Sequence, residues 1–169
     1  MVAVDSKNDA IARTSVRMAA PIWALRILMG LMFLNTWSDN VRKGFYTPNG
    51  LQHFFAQVYP QAHNPLTWYA NFITGVLLPH RAVFGPFQFV MELAIAVALL
   101  LGIFTPIASV GAAFLILNIF LATFGVEWPW TYINIFAILL ICAIARAGRT
   151  AGVDGMLLKR FGEPKVPLW

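Results

Sequence analysis

Four apolar stretches, at residues 19–37, 87–104, 107–124 and 131–147, constrain the fold of this chain more than any other feature. A helix needs roughly 20 mostly apolar residues to cross the hydrocarbon layer of a bilayer, and each stretch comes close to that length. Only 11% of the residues are charged, whereas soluble domains carry about a quarter. The sequence therefore predicts an all-α integral membrane protein, built as a bundle of four transmembrane helices.

The first stretch is predicted to be a retained helix and not a cleaved signal peptide. A signal peptide carries small residues after its apolar core. Here Ala19 and Ala20 come before the core, and the polar residues Asn35 and Thr36 follow it. We therefore count this stretch as a span.

Two polar tails flank the predicted membrane domain, which covers residues 19–147. The N-terminal tail, residues 1–18, has three Lys or Arg residues, and the chain has five more from Arg146 to the end of the C-terminal tail, residues 148–169. Positive charge is retained on the cytoplasmic side of a membrane, so both termini are predicted to be cytoplasmic. The same placement accounts for the net charge of +5. Membrane lipids are therefore expected as partners, and nucleic acid is not.

The long outer segment, residues 38–86, connects the first two spans and is predicted to lie outside the membrane. Its apolar residues Leu51, Phe54, Phe55 and Val58 recur at the spacing of a one-sided helix. Such short amphipathic helices rest on the membrane face or cap a bundle. The segment is therefore predicted to be helical and extracytoplasmic.

Polar side chains at membrane depth are costly and are candidates for function. At a rise of 1.5 Å per residue, Glu92, Asn118 and Asn134 fall at about one level in the outer half of three different helices. Gln88 lies one turn from Glu92, and Trp130 one turn from Asn134, so each pair shares a helix face. This polar level is the first candidate site.

One interpretation makes this level a small cavity for a quinone head group. Glu92 is then the candidate proton relay, with Arg26 as a second catalytic candidate on the stripe of the first helix that also holds Trp37. The quinone pocket is predicted to be formed by the following residues: Trp37, Gln88, Asn118, Trp130 and Asn134. The other interpretation is structural, because polar groups also hydrogen-bond to one another and hold membrane helices together.

Other cofactors are not expected. A haem between membrane helices requires axial ligands at bundle depth, but His53, His63 and His80 all fall in the outer segment. Their spacing matches no metal-binding motif, and a single cysteine, Cys142, cannot form a disulfide within the chain or a multi-cysteine site. There is no glycine-rich phosphate loop, so no nucleotide is expected.

The segments LRILMGLMFLNTWSDNV, MELAIAVALLLGIFTPIAS and AGRTAGVDGMLL resemble the DoxX family, which includes the DoxD-type subunit of thiosulfate:quinone oxidoreductase. The resemblance implies a four-helix protein of the bacterial or archaeal cytoplasmic membrane, linked to redox complexes and often paired with a second subunit. It singles out these residues: Arg26, Gly30, Asp39, Glu92, Gly102, Thr105, Arg149 and Asp154. The chain departs from the family pattern at Trp37 and Asn40, where Gly and Lys are common, and at Pro106, where Arg is usual.

These observations favour a DoxX-like membrane subunit of a respiratory or photosynthetic redox complex, which binds quinone in the outer half of the bundle. Two alternatives stay open. The chain could be a purely structural accessory subunit docked on a larger assembly, or the catalytic small subunit of an enzyme like thiosulfate:quinone oxidoreductase. A transporter is disfavoured, because the spans contain no internal repeat and no obvious broken helix.

Overall fold

In a computed structural model, the backbone is described for residues 2–166 and 168–169, and the side chains for residues 21–166 and 168–169. This part of the chain is all-helical, as predicted, and contains no strand. The predicted N-terminal tail, residues 1–18, lies outside the residues whose side chains are described. The eight α-helices are α1 (Val2–Arg42), α2 (Pro48–His53), α3 (Thr67–Phe72), α4 (Arg81–Leu101), α5 (Thr105–Ala122), α6 (Pro129–Ile144), α7 (Gly148–Ala151) and α8 (Val153–Phe161).

The helices α1, α4, α5 and α6 pack as a ring. Helix α1 contacts α4 and α6, and α5 contacts the same two helices from the opposite side. Among the described residues, α4 and α5 are long and apolar enough to cross a membrane, and α6 is a shorter apolar helix. The short connections from α4 to α5 and from α5 to α6 make these neighbours antiparallel, so the two ends of the bundle carry different segments of the chain.

The centre of the ring is a core of aliphatic, aromatic and small side chains. Its buried members come from all four helices: Met29, Phe33, Ile95, Ala96, Leu99, Ala108, Ala112, Ile116, Tyr132 and Leu139. At Gly30, a Cβ atom would lie 2.8 Å from the Cγ of Leu100 and 3.0 Å from its backbone nitrogen. The absence of a side chain there lets α1 and α4 approach closely.

The outer segment forms a helical cap over one end of the ring. Helix α2 continues as a π-helical turn over Phe54–Val58, and α3 continues as another over Ile73–Leu77. The two are separated by a 3₁₀ turn, Gln61–His63. The cap buries this apolar cluster against the end of α5: Leu51, Phe55, Tyr69, Ile73 and Ala122.

The predicted amphipathic pattern of this segment is present in part. Leu51 and Phe55 are buried and Phe54 is half-buried, whereas Val58 is 51% exposed. The chain turns away at Tyr59, where the helical turn ends. The buried part of the stripe therefore runs from Leu51 to Phe55 and covers little more than one turn of helix.

Candidate functional site

Glu92 is buried near the middle of α4, with 2% of its surface exposed. Both of its carboxylate oxygens accept hydrogen bonds. The Tyr46 hydroxyl donates to Oε2 at 2.5 Å and the Asn40 amide at 3.2 Å. The Gln88 amide, one turn earlier on α4, donates to Oε1 at 2.8 Å. These donors are neutral, and they provide the hydrogen bonds that a buried carboxylate requires.

Tyr46 reaches Glu92 from the turn between α1 and α2. Its backbone lies directly on α4, because a Cβ atom at Gly85 would be only 2.0 Å from the Tyr46 carbonyl oxygen. Its ring meets Phe89 edge-on at 5.3 Å. Burial, and then the hydrogen bond to Glu92, raise the pKa of Tyr46 well above its usual value. The hydroxyl therefore stays protonated and acts as the donor.

A cavity of about 320 Å³ lies beside Glu92, between the outer cap and the helices α1, α4 and α5. Its polar wall contains Asn40, Gln88 and Glu92, and Asn118 lies on the α5 side. Most of the remaining wall is aromatic and comes from these residues: Phe45, Phe54, Phe55, Tyr69, Phe72, Phe84, Phe87 and Phe114. The cavity is thus an apolar, ring-lined space with one polar wall.

Asn118 lines the cavity, but its amide already makes hydrogen bonds within the protein. The Tyr69 hydroxyl donates to its Oδ1 at 2.8 Å, and its Nδ2 donates to the Phe114 carbonyl oxygen at 2.7 Å. Burial raises the pKa of Tyr69 to about 12, so that hydroxyl also remains a donor. Asn118 therefore connects the cap to α5.

A second buried polar cluster lies around Arg26, at the end of the bundle opposite the cap, which we call the inner end. This side chain is 1% exposed, and its Nη2 donates to the Ala151 carbonyl oxygen at 2.8 Å. Its guanidinium lies against two glycines, since a Cβ atom would be 1.6 Å from Nη1 at Gly102 and 2.4 Å from it at Gly152. Arg26 thus binds the C-terminal segment, and the structure places no contact between it and Glu92.

Asp154 is fully buried beside this arginine and caps helix α5. Its carboxylate accepts hydrogen bonds from the backbone nitrogens of Phe104, at 2.6 Å, and Thr105, at 2.9 Å. Its own backbone nitrogen donates to the Gly102 carbonyl oxygen at 2.8 Å. A carboxylate at a helix N-terminus satisfies free N–H groups and interacts favourably with the helix dipole. The chain after α6 is thereby fixed beneath the bundle.

The family described as TQO small subunit DoxD matches residues 22–168. The chain belongs to the DoxD family. The DoxX resemblance seen in the sequence is confirmed at the level of a related family, and DoxD is the family that matches. The match and the two long apolar helices α4 and α5 indicate a membrane protein. No curated protein and no solved structure matches the chain.

The DoxD match extends over both polar clusters. Among the residues that the resemblance singled out, Arg26, Gly102, Thr105 and Asp154 meet at the inner end of the bundle. Glu92 lies near the middle of α4, in the cluster with Tyr46, and Asp39 pairs with Lys43 at the exposed end of α1. The remaining two residues make other contacts. Gly30 packs against Leu100, and Arg149 pairs with Glu163 in the C-terminal tail.

Two predicted pocket residues of this DoxD-family chain lie elsewhere. Trp130 is 64% exposed, Asn134 is exposed, and neither lines the cavity. The buried face of α6 instead carries Tyr132 and Leu139, so α6 is rotated away from the orientation that the pocket prediction needs. The pairing of Trp130 and Asn134 on one face holds, but that face points outward.

Trp37 is close to the site without lining the cavity. Its ring packs against Phe89 with centroids 5.2 Å apart. Its indole Nε1 is buried and has no hydrogen-bond partner in the part of the chain with described side chains. It contributes to the wall behind the Glu92 cluster.

Tyr46 and Asn40 are the residues that sequence reasoning missed as ligands of Glu92. Asn40 was noted as a departure from the family pattern and not as a partner of Glu92, and Tyr46 lies in a turn where no helical periodicity applies. The contact between Tyr46 and Glu92 joins positions 46 residues apart. A buried acid without a nearby cation in its own helix was the one available signal that a distant donor must reach it.

Proposed function

We propose that this DoxD-family chain is a membrane subunit of a redox complex and binds a quinone head group in the outer cavity. The observation that carries the proposal is the cavity itself, which is lined by eight aromatic residues and has polar side chains on one wall. Its volume of about 320 Å³ is at the lower end of the roughly 300–1,000 Å³ range of small-molecule sites. A flat, mostly apolar ring with oxygen atoms at its edge fits this chemistry.

The proposal includes a membrane topology. The helices α1, α4, α5 and α6 cross the cytoplasmic membrane of a bacterium or archaeon, with both termini inside and the helical cap outside. The basic tails and the absence of Lys and Arg from the turn between α5 and α6 support this orientation. A second, larger subunit is the proposed partner, since the matching family is described as a small subunit.

Filling the cavity tests the binding proposal. Leu115 lines the cavity from α5, whereas Leu117, two positions along, is 40% exposed and lies outside it. We expect Leu115→Trp to weaken binding of a short-chain quinone at least about tenfold, equivalent to about 1.4 kcal/mol, because the indole occupies the ring's place. Leu117→Trp should bind as the unmodified protein does.

The measurement is a titration of each purified protein in lipid nanodiscs, with the melting temperature of each variant as the check on folding. Absence of quinone binding by the unmodified chain would contradict the proposal. So would equal binding by a folded Leu115→Trp variant.

An accessory role without chemistry is the second candidate, and one observation favours it. The polar side chains Glu92 and Asn118 already have hydrogen-bond partners inside the protein, as expected of groups that fasten helices together. Mass spectrometry of material purified in mild detergent separates the two roles. Recovery with a larger protein partner but without quinone supports the accessory role, and recovery with quinone supports the first proposal.

A further inference from the structure

The donors around Glu92 are directed at the carboxylate and not at the cavity. The Tyr46 hydroxyl has its one hydrogen on Glu92, and the Asn40 amide nitrogen is within bonding distance of both Glu92 and the Tyr46 oxygen. Gln88 uses one of its two N–H groups on Glu92. The pKa of Tyr46 is raised by its burial and by Glu92, which keeps its hydrogen in place.

The groups left for a ligand are mainly acceptors. In the part of the chain with described side chains, the carbonyl oxygens of Asn40 and Gln88 accept no hydrogen bond. An ionised carboxylate offers about four lone-pair sites, and Glu92 receives three bonds. One N–H each on Gln88 and Asn118 and the hydroxyl of Thr36 remain as donors. The residues that line the cavity include no Lys, Arg or His.

The oxidised and reduced forms of the ring require different hydrogen-bond partners. The oxygen atoms of a quinone only accept hydrogen bonds, whereas the hydroxyl groups of a quinol also donate them. A quinone carbonyl placed against Glu92 would set two acceptors against each other, and a buried acceptor without a donor is unfavourable for binding. A quinol hydroxyl in the same place donates to the carboxylate, which is among the stronger hydrogen bonds.

Resting on the proposed quinone site, we propose that the cavity binds the quinol form more tightly than the quinone form, with Glu92 as the acceptor of the ring hydroxyl. Selective binding of the reduced form makes the bound ring easier to reduce. A tenfold preference raises the midpoint potential of the bound two-electron couple by about 30 mV. The site therefore favours reduction of the bound quinone to the quinol.

The experiment compares the dissociation constants of a short-chain quinone and of its quinol, kept reduced under anaerobic conditions. The purified full chain is held in nanodiscs of phosphatidylcholine. We expect the quinol to bind at least tenfold more tightly. In Glu92→Gln the ratio should fall below about threefold, because the new amide can donate to a quinone carbonyl. Tightening of quinone binding in this variant is part of the expected result.

Glu127→Gln is the matched control. Glu127 also accepts a hydrogen bond from a tyrosine, Tyr59, but it does not line the cavity. This variant should keep the full preference for quinol. Loss of the preference in both variants would show that it arises from the net charge of the protein and not from the carboxylate in the cavity wall.

The remaining outcomes separate this inference from the function on which it rests. If the unmodified chain binds neither form, the proposed quinone site is wrong. If it binds both forms equally, or the quinone more tightly, only the preference for quinol is overturned. Redox titration of the ring bound to the unmodified chain is a second measurement that needs no variant. A midpoint potential unchanged from the unbound ring contradicts the inference.

Discussion

At the scale of single residues, the hydrogen bond from Tyr46 to Glu92 fixes the outer polar cluster. It joins the turn after α1 to the middle of the bundle wall at 2.5 Å. A second tyrosine, Tyr69, makes a comparable bond to the neutral amide of Asn118 at 2.8 Å. The two bonds differ in the charge of the acceptor, which makes them a natural pair for comparison.

We predict that Tyr46→Phe destabilises the protein by about 1.5–3 kcal/mol, the range for a hydrogen bond to a charged group. Tyr69→Phe should destabilise it by about 0.5–1.5 kcal/mol, the range for a neutral one. The melting temperatures of both variants in one detergent check the order. In a double-mutant cycle, Tyr46→Phe should cause a smaller loss of stability in a Glu92→Gln background than in the unmodified protein. Equal losses with and without Glu92 would contradict a direct interaction.

At the scale of elements, the inner end of the bundle depends on glycines that let three chain segments meet. The turn between α4 and α5 passes under Arg26 at Gly102, and the segment after α7 closes the other side at Gly152. Gly102 has a φ of +65°, a left-handed conformation that glycine adopts without penalty. Steric fit and backbone conformation both require glycine here.

The effect of the close contact can be separated from the effect of the backbone. Gly44 shares the φ of +65°, but a Cβ atom there meets nothing within 4 Å. We predict that Gly44→Ala destabilises the fold by about 1–2 kcal/mol, the left-handed penalty. Gly102→Ala should destabilise it by about 1–3 kcal/mol more, because it displaces the guanidinium of Arg26. Equal shifts in melting temperature for the two variants would show that the contact with Arg26 does not contribute to stability.

The C-terminal tail folds back on the same end of the bundle. Arg149 and Arg146 both donate to Glu163, and these interactions lower the pKa of that carboxyl. Arg149 also donates to the backbone carbonyl oxygen of Trp169 at 2.7 Å. The tail is thus attached by charge at the surface and by Asp154 in the interior.

At the scale of the whole molecule, the proposed topology places the cap and the tail on opposite sides of the membrane. We predict that cysteines at His53 and Glu127 react with an impermeant maleimide in intact cells, in a background where the buried Cys142 is replaced by alanine. Cysteines at Lys159 and Lys165 should react only after lysis. Labelling of a tail position in intact cells would contradict the assignment of the C-terminus to the cytoplasm.

Composition and periodicity by themselves determined that the chain is helical and apolar. These are local properties, because helical spacing and apolar run length are read within one segment. The polar level was also predictable in part: Glu92, Gln88 and Asn118 meet at one cavity. Axial height along a helix follows from the rise per residue alone.

Only the tertiary structure decided which side chains face one another. The rotation of α6 turns Trp130 and Asn134 outward, and rotation is set by the packing of its other face against α5 and α1. The contacts of Glu92 with Tyr46, and of Thr105 with Asp154, join positions 46 and 49 residues apart. Buried charges require partners wherever the chain can supply them, and no local pattern in the sequence specifies which distant residue does so.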